Sequence, residues 1–330
     1  MKVTVMGAGT WGSALAQVLT DSGNEVFLWD INTAVIDQLK NQRTHANLPE
    51  FTLDPRIQVS TSLDGFPLDE LVLVVVPSQV VRLALTNMQD IPQSAIVVCA
   101  AKGIENNTLM RMSQVIEEVK GIEPGRIGAL SGPSHAEEVA KRMPTAVVSA
   151  CVDIETARKV QAAFTTEYFR VYANSDIIGV ELGASIKNVI AIAAGICDGS
   201  GFGDNTMAAL ITRGLAEITR LGKAMGAQPQ TFFGLSGIGD LVVTSQSLLS
   251  RNRYVGKRIG QGDTLTDILN DMDMVAEGVK TTQSIHDLVQ KLGIEMPICE
   301  KVWEVLFKEK SPRDAINELM GRDLVDEHQH

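Results

Sequence analysis

Residues 1–19 read MKVTVMGAGTWGSALAQVL: a short β-prone run, a turn with Gly7, Gly9 and Gly12 at the spacing G-x-G-x-x-G, then an apolar-periodic helix from Ser13 to about Thr20. Strand, glycine turn and helix together form a receptor for a pyrophosphate. Glycine permits the tight turn and close backbone approach, and the exposed amides of a helix N-terminus attract negative charge. The spacing alone is a weak signal. A second strand, Glu25–Trp29, strengthens it by leading into Asp30, about 20 residues beyond the turn, where a carboxylate can hold a dinucleotide ribose. The alternative is a merely structural glycine turn.

The alternation continues outward. Strands are predicted near 57–60, 71–76, 95–100, 126–130, 145–150 and 168–172, separated by helical stretches at 79–88, 109–119, 135–141 and 154–164. Runs such as LVLVVV and AIVVCA are what strands buried on both faces look like. The fold class is therefore α/β: a doubly wound, Rossmann-type parallel sheet over residues 1–173, with ligands gathered beyond the C-terminal strand ends. At those ends stand the 7–12 turn, Asp30, Pro77-Ser78, Lys102-Gly103 and the 131–134 turn. Past Asn174 the β signal fades. Helices predicted at 176–197, 205–225, 251–259, 265–270, 281–292, 299–308 and 311–320 make residues 174–330 a second, all-helical domain for substrate and catalysis.

At 330 residues the chain has room for two such domains. Lys and Arg number 29 against 40 Asp and Glu, giving a net charge of −11, which makes nucleic acid or an anionic membrane a poor partner. Cys99, Cys151, Cys197 and Cys299 lie far apart and read as reduced core thiols of a cytoplasmic protein. The glycine break after residue 6 comes too early for a signal sequence, and Lys187 and Asn188 interrupt the best apolar run, so no integral membrane segment is expected. No cluster has metal-ligand spacing and no Ser–His arrangement suggests a hydrolase; His328 and His330 read as solvated tail.

In residues 181–204, ELGASIKNVIAIAAGICDGSGFGD, a single lysine, Lys187, stands in an otherwise apolar, small-residue helix. Gly183, Ala184, Ala191, Ala194 and Gly195 share its face, so shallow a face that a backbone or a ligand can approach the ammonium. Apolar surroundings push a lysine pKa down toward values useful for proton transfer; the alternative is a lysine snorkelling to solvent. Residues 245–258 concentrate Arg251, Arg253, Lys257 and Arg258 after Ser250. With Ser250 as N-cap, the amides of Arg251 and Asn252 and their side chains make a phosphate receptor, and repulsion among Arg251, Lys257 and Arg258 argues for a counter-anion. The alternative is a solvated basic face, on which Arg253 simply meets water. Asp240, among glycines and aliphatics in GLSGIGDL, needs a cation, and Lys187 is its natural partner; it could instead cap the following helix. Lys102, directly after a buried strand, has ligand access or is a surface lysine. His135 reads as a local hydrogen-bonding group.

These motifs coincide with a known pattern. GAGTWG, VPSQ, AAKGIE, SGPSHAEEV, the stretch from SIKNVIAIAAG to ITRLG, GLSGIGDLVVTSQSLLSRNRYVGKRIGQG and VAEGVKTT resemble the soluble, bacterial-type NAD(P)-dependent glycerol-3-phosphate dehydrogenases over essentially the whole chain. The resemblance implies reversible reduction of dihydroxyacetone phosphate to sn-glycerol 3-phosphate for phospholipid synthesis, with Lys187 as the proton acceptor. It gives the substrate Lys102, Gly132, Ser134, Asp240, Ser250, Arg251 and Asn252. It gives NAD or NADP Thr10, Trp11, Lys102, Ala136, Arg251, Val275 and Glu277, beside Gly7, Gly9, Gly12 and Asp30 from the turn itself. One departure concerns the cofactor: the family often carries a basic residue just after the strand-two tryptophan, whereas here Trp29 is followed by Asp30-Ile31-Asn32. Asp30 would repel a 2′-phosphate, so NAD(H) is expected to be favoured unless Arg43 or His45 compensates. Partners are expected to be a small phosphorylated three-carbon substrate and a second copy of the chain in a homodimer. A related hydroxy-acid dehydrogenase and a non-catalytic dinucleotide sensor are the competing readings.

Overall fold

Eight strands form one sheet: β1 (Lys2–Met6), β2 (Glu25–Trp29), β3 (Gln58–Ser60), β4 (Leu71–Val74), β5 (Ile96–Cys99), β6 (Ile127–Ser131), β7 (Thr145–Ala150) and β8 (Phe169–Asn174). Their order is β3-β2-β1-β4-β5-β6-β7-β8 in the computed structural model, which describes residues 1–272, 276–324 and 326–327. β1 pairs in parallel with both β2 and β4, so the strand order reverses beside β1, and the crevice beyond its C-terminal end is where a doubly wound sheet takes its ligand. β4 and β5 are buried at every position, as their uninterrupted apolar sequences require. Helices α1 (Thr10–Asp21), α2 (Thr33–Asn41), α3 (Val81–Thr86), α4 (Met112–Lys120), α5 (Ala136–Ala140) and α6 (Ile154–Phe164) complete this part. The sequence reading omitted α2, although Asn32 caps it by accepting from the amides of Ala34 and Val35.

The sheet is not parallel throughout. β7 runs antiparallel to β6, and β8 follows β7. The connection from Ser131 to Thr145 contains only the five-residue α5. The chain re-enters the sheet from the end at which it left.

The chain forms two compact units, one of Met1–Lys102 with Met112–Val180, the other of Gly103–Arg111 with Glu181–His330. The second is built from α7 (Ile177–Gly199), α8 (Asp204–Ala224), α9 (Asp240–Gln246), α10 (Arg251–Gly260), α11 (Leu265–Asn270), α12 (Glu277–Leu292), α13 (Pro297–Phe307) and α14 (Pro312–Met320). α7 is long and apolar enough to cross a membrane, yet 94% of its apolar window is buried inside the molecule. It is the core helix of its unit: an all-round apolar helix needs neighbours on every side.

One neighbour comes exceptionally close. A Cβ placed on Gly195 would stand 2.0 Å from the Arg253 carbonyl oxygen, and one on Gly256 would stand 2.0 Å from that of Ile192. Gly199 and Gly260 repeat the contact one turn along, at 2.1 Å from Lys257 O and 2.5 Å from Ile196 O. α7 and α10 thus meet backbone against backbone, through glycines spaced four apart on both helices. The cysteines of both units are buried; burial raises the thiol pKa of Cys151 and Cys299 and lifts that of Cys197 to about 11, which keeps them inert.

Candidate active site

Lys187 does not snorkel: it is 5% exposed, in a helix whose every residue from 179 to 197 is buried. Its Nζ donates to Asp240 Oδ1 at 2.5 Å and to Thr244 Oγ1 at 2.6 Å, and the threonine hydroxyl is itself 3.2 Å from that carboxylate oxygen. Asp240 is 1% exposed and Thr244 5%. Asp240 opens α9 without capping it; its carboxylate serves the lysine. The preceding residues, Leu235–Gly239, form a π-helical turn, a wide turn often found at functional sites, and the Ser236 carbonyl lies where a Gly183 Cβ would be, 2.6 Å away. The shallow face beside Lys187 is therefore filled by backbone at Gly183 and Gly195. Thr244 was invisible to sequence reasoning; its only signal is its position one helical turn after Asp240.

The N-terminus of α10 is built as the sequence suggested. Ser250 caps it, its hydroxyl accepting from the Arg253 amide at 3.2 Å. The basic residues after it differ from expectation: Arg253 and Lys257 share Asp198, at 2.8 and 3.2 Å, and Arg258 pairs with Asp263 and Asp271. Arg253 is not a solvated side chain, and the repulsion that argued for a bound counter-anion is relieved from within the chain. The case for an anion now rests on the cap, on the exposed Arg251 and on Asn252. Asn252 Oδ1 accepts from the Gly278 amide at 2.9 Å, in the first turn of α12. Gly278 has room for no side chain, since its Cβ would lie 2.7 Å from Asn252 Oδ1 and 2.9 Å from the carbonyl of Asn188, next to Lys187. The candidate phosphate residues and the lysine thus share one scaffold of α7, α10 and α12. Glu277 is the first residue of α12; Val275 lies outside the described residues.

In the sheet unit, α1 starts at Thr10 with Gly9 as N-cap, no capping side chain and no acidic residue in its first turn, a terminus suited to an anion. Gly7 has φ +114°, and a Cβ on Gly12 would stand 1.8 Å from the Gly7 carbonyl oxygen, while above Gly9 the space is open. Trp11 Nε1 is buried without a hydrogen-bond partner. An open cradle, uncapped amides and an orphaned donor fit a dinucleotide pyrophosphate. Asp30 is already engaged: Oδ2 accepts from the Ala8 amide at 2.7 Å and Oδ1 from that of Asn32 at 2.9 Å, joining the glycine turn to the start of α2. Arg43 Nη1 donates to the Ile57 carbonyl at 2.8 Å, and burial lowers the pKa of His45 against the opposing pull of the Ala8 backbone and Asp30. Beyond β5 and β6, Lys102 Nζ and Ser134 Oγ both donate to the Gly132 carbonyl, at 3.2 and 2.9 Å. Ala136 opens α5 with its methyl in the core.

Comparison with known proteins places this geometry in a family. The model of the NAD-dependent glycerol-3-phosphate dehydrogenase N-terminus matches residues 2–157, and that of its C-terminus matches residues 176–317. The glycerol-3-phosphate dehydrogenase (NAD(P)+) of Citrifermentans bemidjiense is 54% identical over 327 residues, 98% of each chain, and that of Solidesulfovibrio magneticus is 50% identical, covering 99% of this chain and 100% of the relative. The crystal structure of glycerol-3-phosphate dehydrogenase from Coxiella burnetii superposes with a TM-score of 0.91 at 35% identity, over 97% of this chain and 98% of that one. With both parts matched and half of its residues shared with full-length members, the chain belongs to the NAD-dependent glycerol-3-phosphate dehydrogenase family.

Proposed function

We propose that this protein interconverts dihydroxyacetone phosphate and sn-glycerol 3-phosphate by hydride transfer with NAD(H) or NADP(H), supplying glycerol 3-phosphate for glycerophospholipid synthesis. The observation that carries the reading is the buried Lys187–Asp240–Thr244 group in a chain with a pyrophosphate-type turn and this family membership. When bound at Gly7, Gly9, Thr10, Trp11 and Gly12, with Lys102, Ala136, Arg251, Val275 and Glu277 as further contacts, the nicotinamide cofactor supplies or accepts the hydride at substrate C2. Residues 1–173 act as the dinucleotide-binding part and 174–330 as the catalytic part. Lys187 protonates the ketone oxygen in reduction and takes the hydroxyl proton in oxidation. Asp240 and Thr244 hold two of the ammonium's three N–H donors, which fixes its rotation, and a fixed donor is one whose orientation cost is met before the substrate arrives. Ser250, Arg251 and Asn252 hold the phosphate, and Lys102, Gly132 and Ser134 are the further substrate contacts that the resemblance implies. The test is oxidation of NADH and NADPH with dihydroxyacetone phosphate, unphosphorylated dihydroxyacetone and 2-keto acids. Turnover with a 2-keto acid alone, or with no ketone, defeats the proposal. The assembly proposed with it is a cytoplasmic homodimer, supported by the family resemblance and the unreactive buried thiols; a monomeric mass in light scattering at assay concentration removes the dimer.

Arg251→Ala is expected to raise KM for dihydroxyacetone phosphate about ten- to a hundredfold, the equivalent of a charge-assisted hydrogen bond. Unphosphorylated dihydroxyacetone should be affected far less. Equal losses on both substrates place the phosphate elsewhere.

The cofactor preference follows from Asp30. Two backbone amides disperse its charge without neutralising it, and a unit charge about 4 Å from a 2′-phosphate charge costs about 1 kcal/mol in water and about 4 at an effective dielectric of 20. NADH is therefore expected to match or exceed NADPH in kcat/KM. Ile31 is 81% exposed, so Ile31→Arg adds a cation without breaking the Asp30–Ala8 bond. The variant should move the NADH/NADPH ratio toward NADPH by about tenfold. A parent enzyme that already favours NADPH overturns the electrostatic argument.

A further inference from the structure

Residues 103–111 leave the end of β5 and belong to the helical unit, although the strand before them and the helix after them belong to the sheet unit. The excursion is short and tightly closed. Ile104 forms an antiparallel bridge with Arg111, the Glu105 amide donates to the Met110 carbonyl at 3.0 Å, and the Leu109 amide donates to the Glu105 carbonyl at 3.0 Å. Asn107 and Leu109 sit at φ +69° and +59°, a left-handed backbone that asparagine takes readily and leucine rarely. Two side-chain contacts hold the segment. Ser284 of α12 donates to the Ile104 carbonyl at 2.9 Å and bonds the Asn106 side chain. Arg111 forms an ion pair with Glu181 of α7, the two side chains 11% and 7% exposed. Lys102 is the residue immediately before the excursion, and its Nζ is held by Gly132. Through the bridge, Arg111 lies against the strand two residues after that lysine.

We propose that Arg111 and Glu181 are positioning residues for Lys102: the buried ion pair, seconded by Ser284, fixes the backbone from which the lysine projects. The proposal rests on the reading of Lys102 as a substrate and cofactor contact. A side chain with four rotatable bonds delivers its ammonium to one place only if its Cα is held, and Lys102 is bonded directly to the segment that the ion pair and Ser284 hold.

A double-mutant cycle on the full-length enzyme separates this role from a general effect on folding. Arg111→Ala is expected to lower kcat/KM for dihydroxyacetone phosphate about tenfold or more, as misplacement of a contact group does. The loss should fall on the same parameter, KM or kcat, that Lys102→Met changes. In the Lys102→Met background the same substitution should cost less than about twofold, because coupled residues are not additive. Losses that multiply overturn the proposal and leave the Lys102 reading standing. A Lys102→Met enzyme as active as the parent removes both. Arg111→Ala takes an ion-pair partner from a buried carboxylate, so Ser284→Ala, which loosens the same segment without touching a charge, is run through the same cycle. If Arg111→Ala does not fold, the serine cycle decides by the same criterion.

Discussion

Lys187→Ala is expected to lower kcat by about 10²–10⁴, the usual worth of a positioned proton donor and acceptor, while dinucleotide affinity stays within about a few-fold because the glycine turn is built from other residues. The structure adds a condition to this experiment. Removing the ammonium leaves Asp240 buried and 1% exposed without its cation, a change that costs several kcal/mol of stability on its own. Lys187→Met with Asp240→Asn removes both charges together and separates lost chemistry from lost fold. That double variant should melt closer to the parent than Lys187→Ala while remaining as inactive. A Lys187→Ala enzyme retaining more than about a tenth of parental kcat would take the lysine out of the proton-transfer role.

The second large effect concerns stability. Gly195→Val is expected to destabilise the helical unit by about 3 kcal/mol or more, at the upper end of what overpacking costs, because the obstacle 2.0 Å away is the Arg253 backbone carbonyl and not a movable side-chain tip. For a unit of this size that is a drop in melting temperature of about 6–12 °C. α10 has to shift, and with it Ser250, Arg251 and Asn252, so KM for the phosphorylated substrate should rise in whatever fraction remains folded. Gly203→Ala is the control: Gly203 is the N-cap of α8 and an added Cβ there meets nothing within 4 Å, so only the loss of a favoured cap residue, about 1 kcal/mol or less, is expected, a drop of no more than about 4 °C. Equal melting of Gly195→Val and the control would mean that α7 and α10 do not pack through their glycines in solution.

Local pattern was enough for several features, and each has a local cause. The glycine turn, Asp30 at the second strand end and the uninterrupted apolar runs of β4 and β5 identify a doubly wound sheet because strand burial and turn chemistry are written in neighbouring residues. Ser250 as the cap of α10 was legible for the same reason: a cap bonds amides within three residues of itself. Lys187 stood out because a lone cation in an apolar helix breaks its own pattern.

What surrounds those residues came only from tertiary structure. The shallow face beside Lys187 read equally well as a place for a ligand or for another backbone, and α10 and the turn before α9 occupy it. Asp240 was a helix cap or a lysine partner until the fold brought α9 against α7, and Thr244 joined the group only then. The basic residues of α10 looked like an unbalanced cluster because their counter-charges, Asp198, Asp263 and Asp271, lie on other turns of the chain. The reversal of β7 and the assignment of residues 103–111 to the helical unit are long-range pairings that no local pattern announces. The sequence of this protein determined which residues are chemically unusual, since that depends on near neighbours; only the folded chain decided which of them are paired, because a charge's partner is chosen by distance in space and not along the chain.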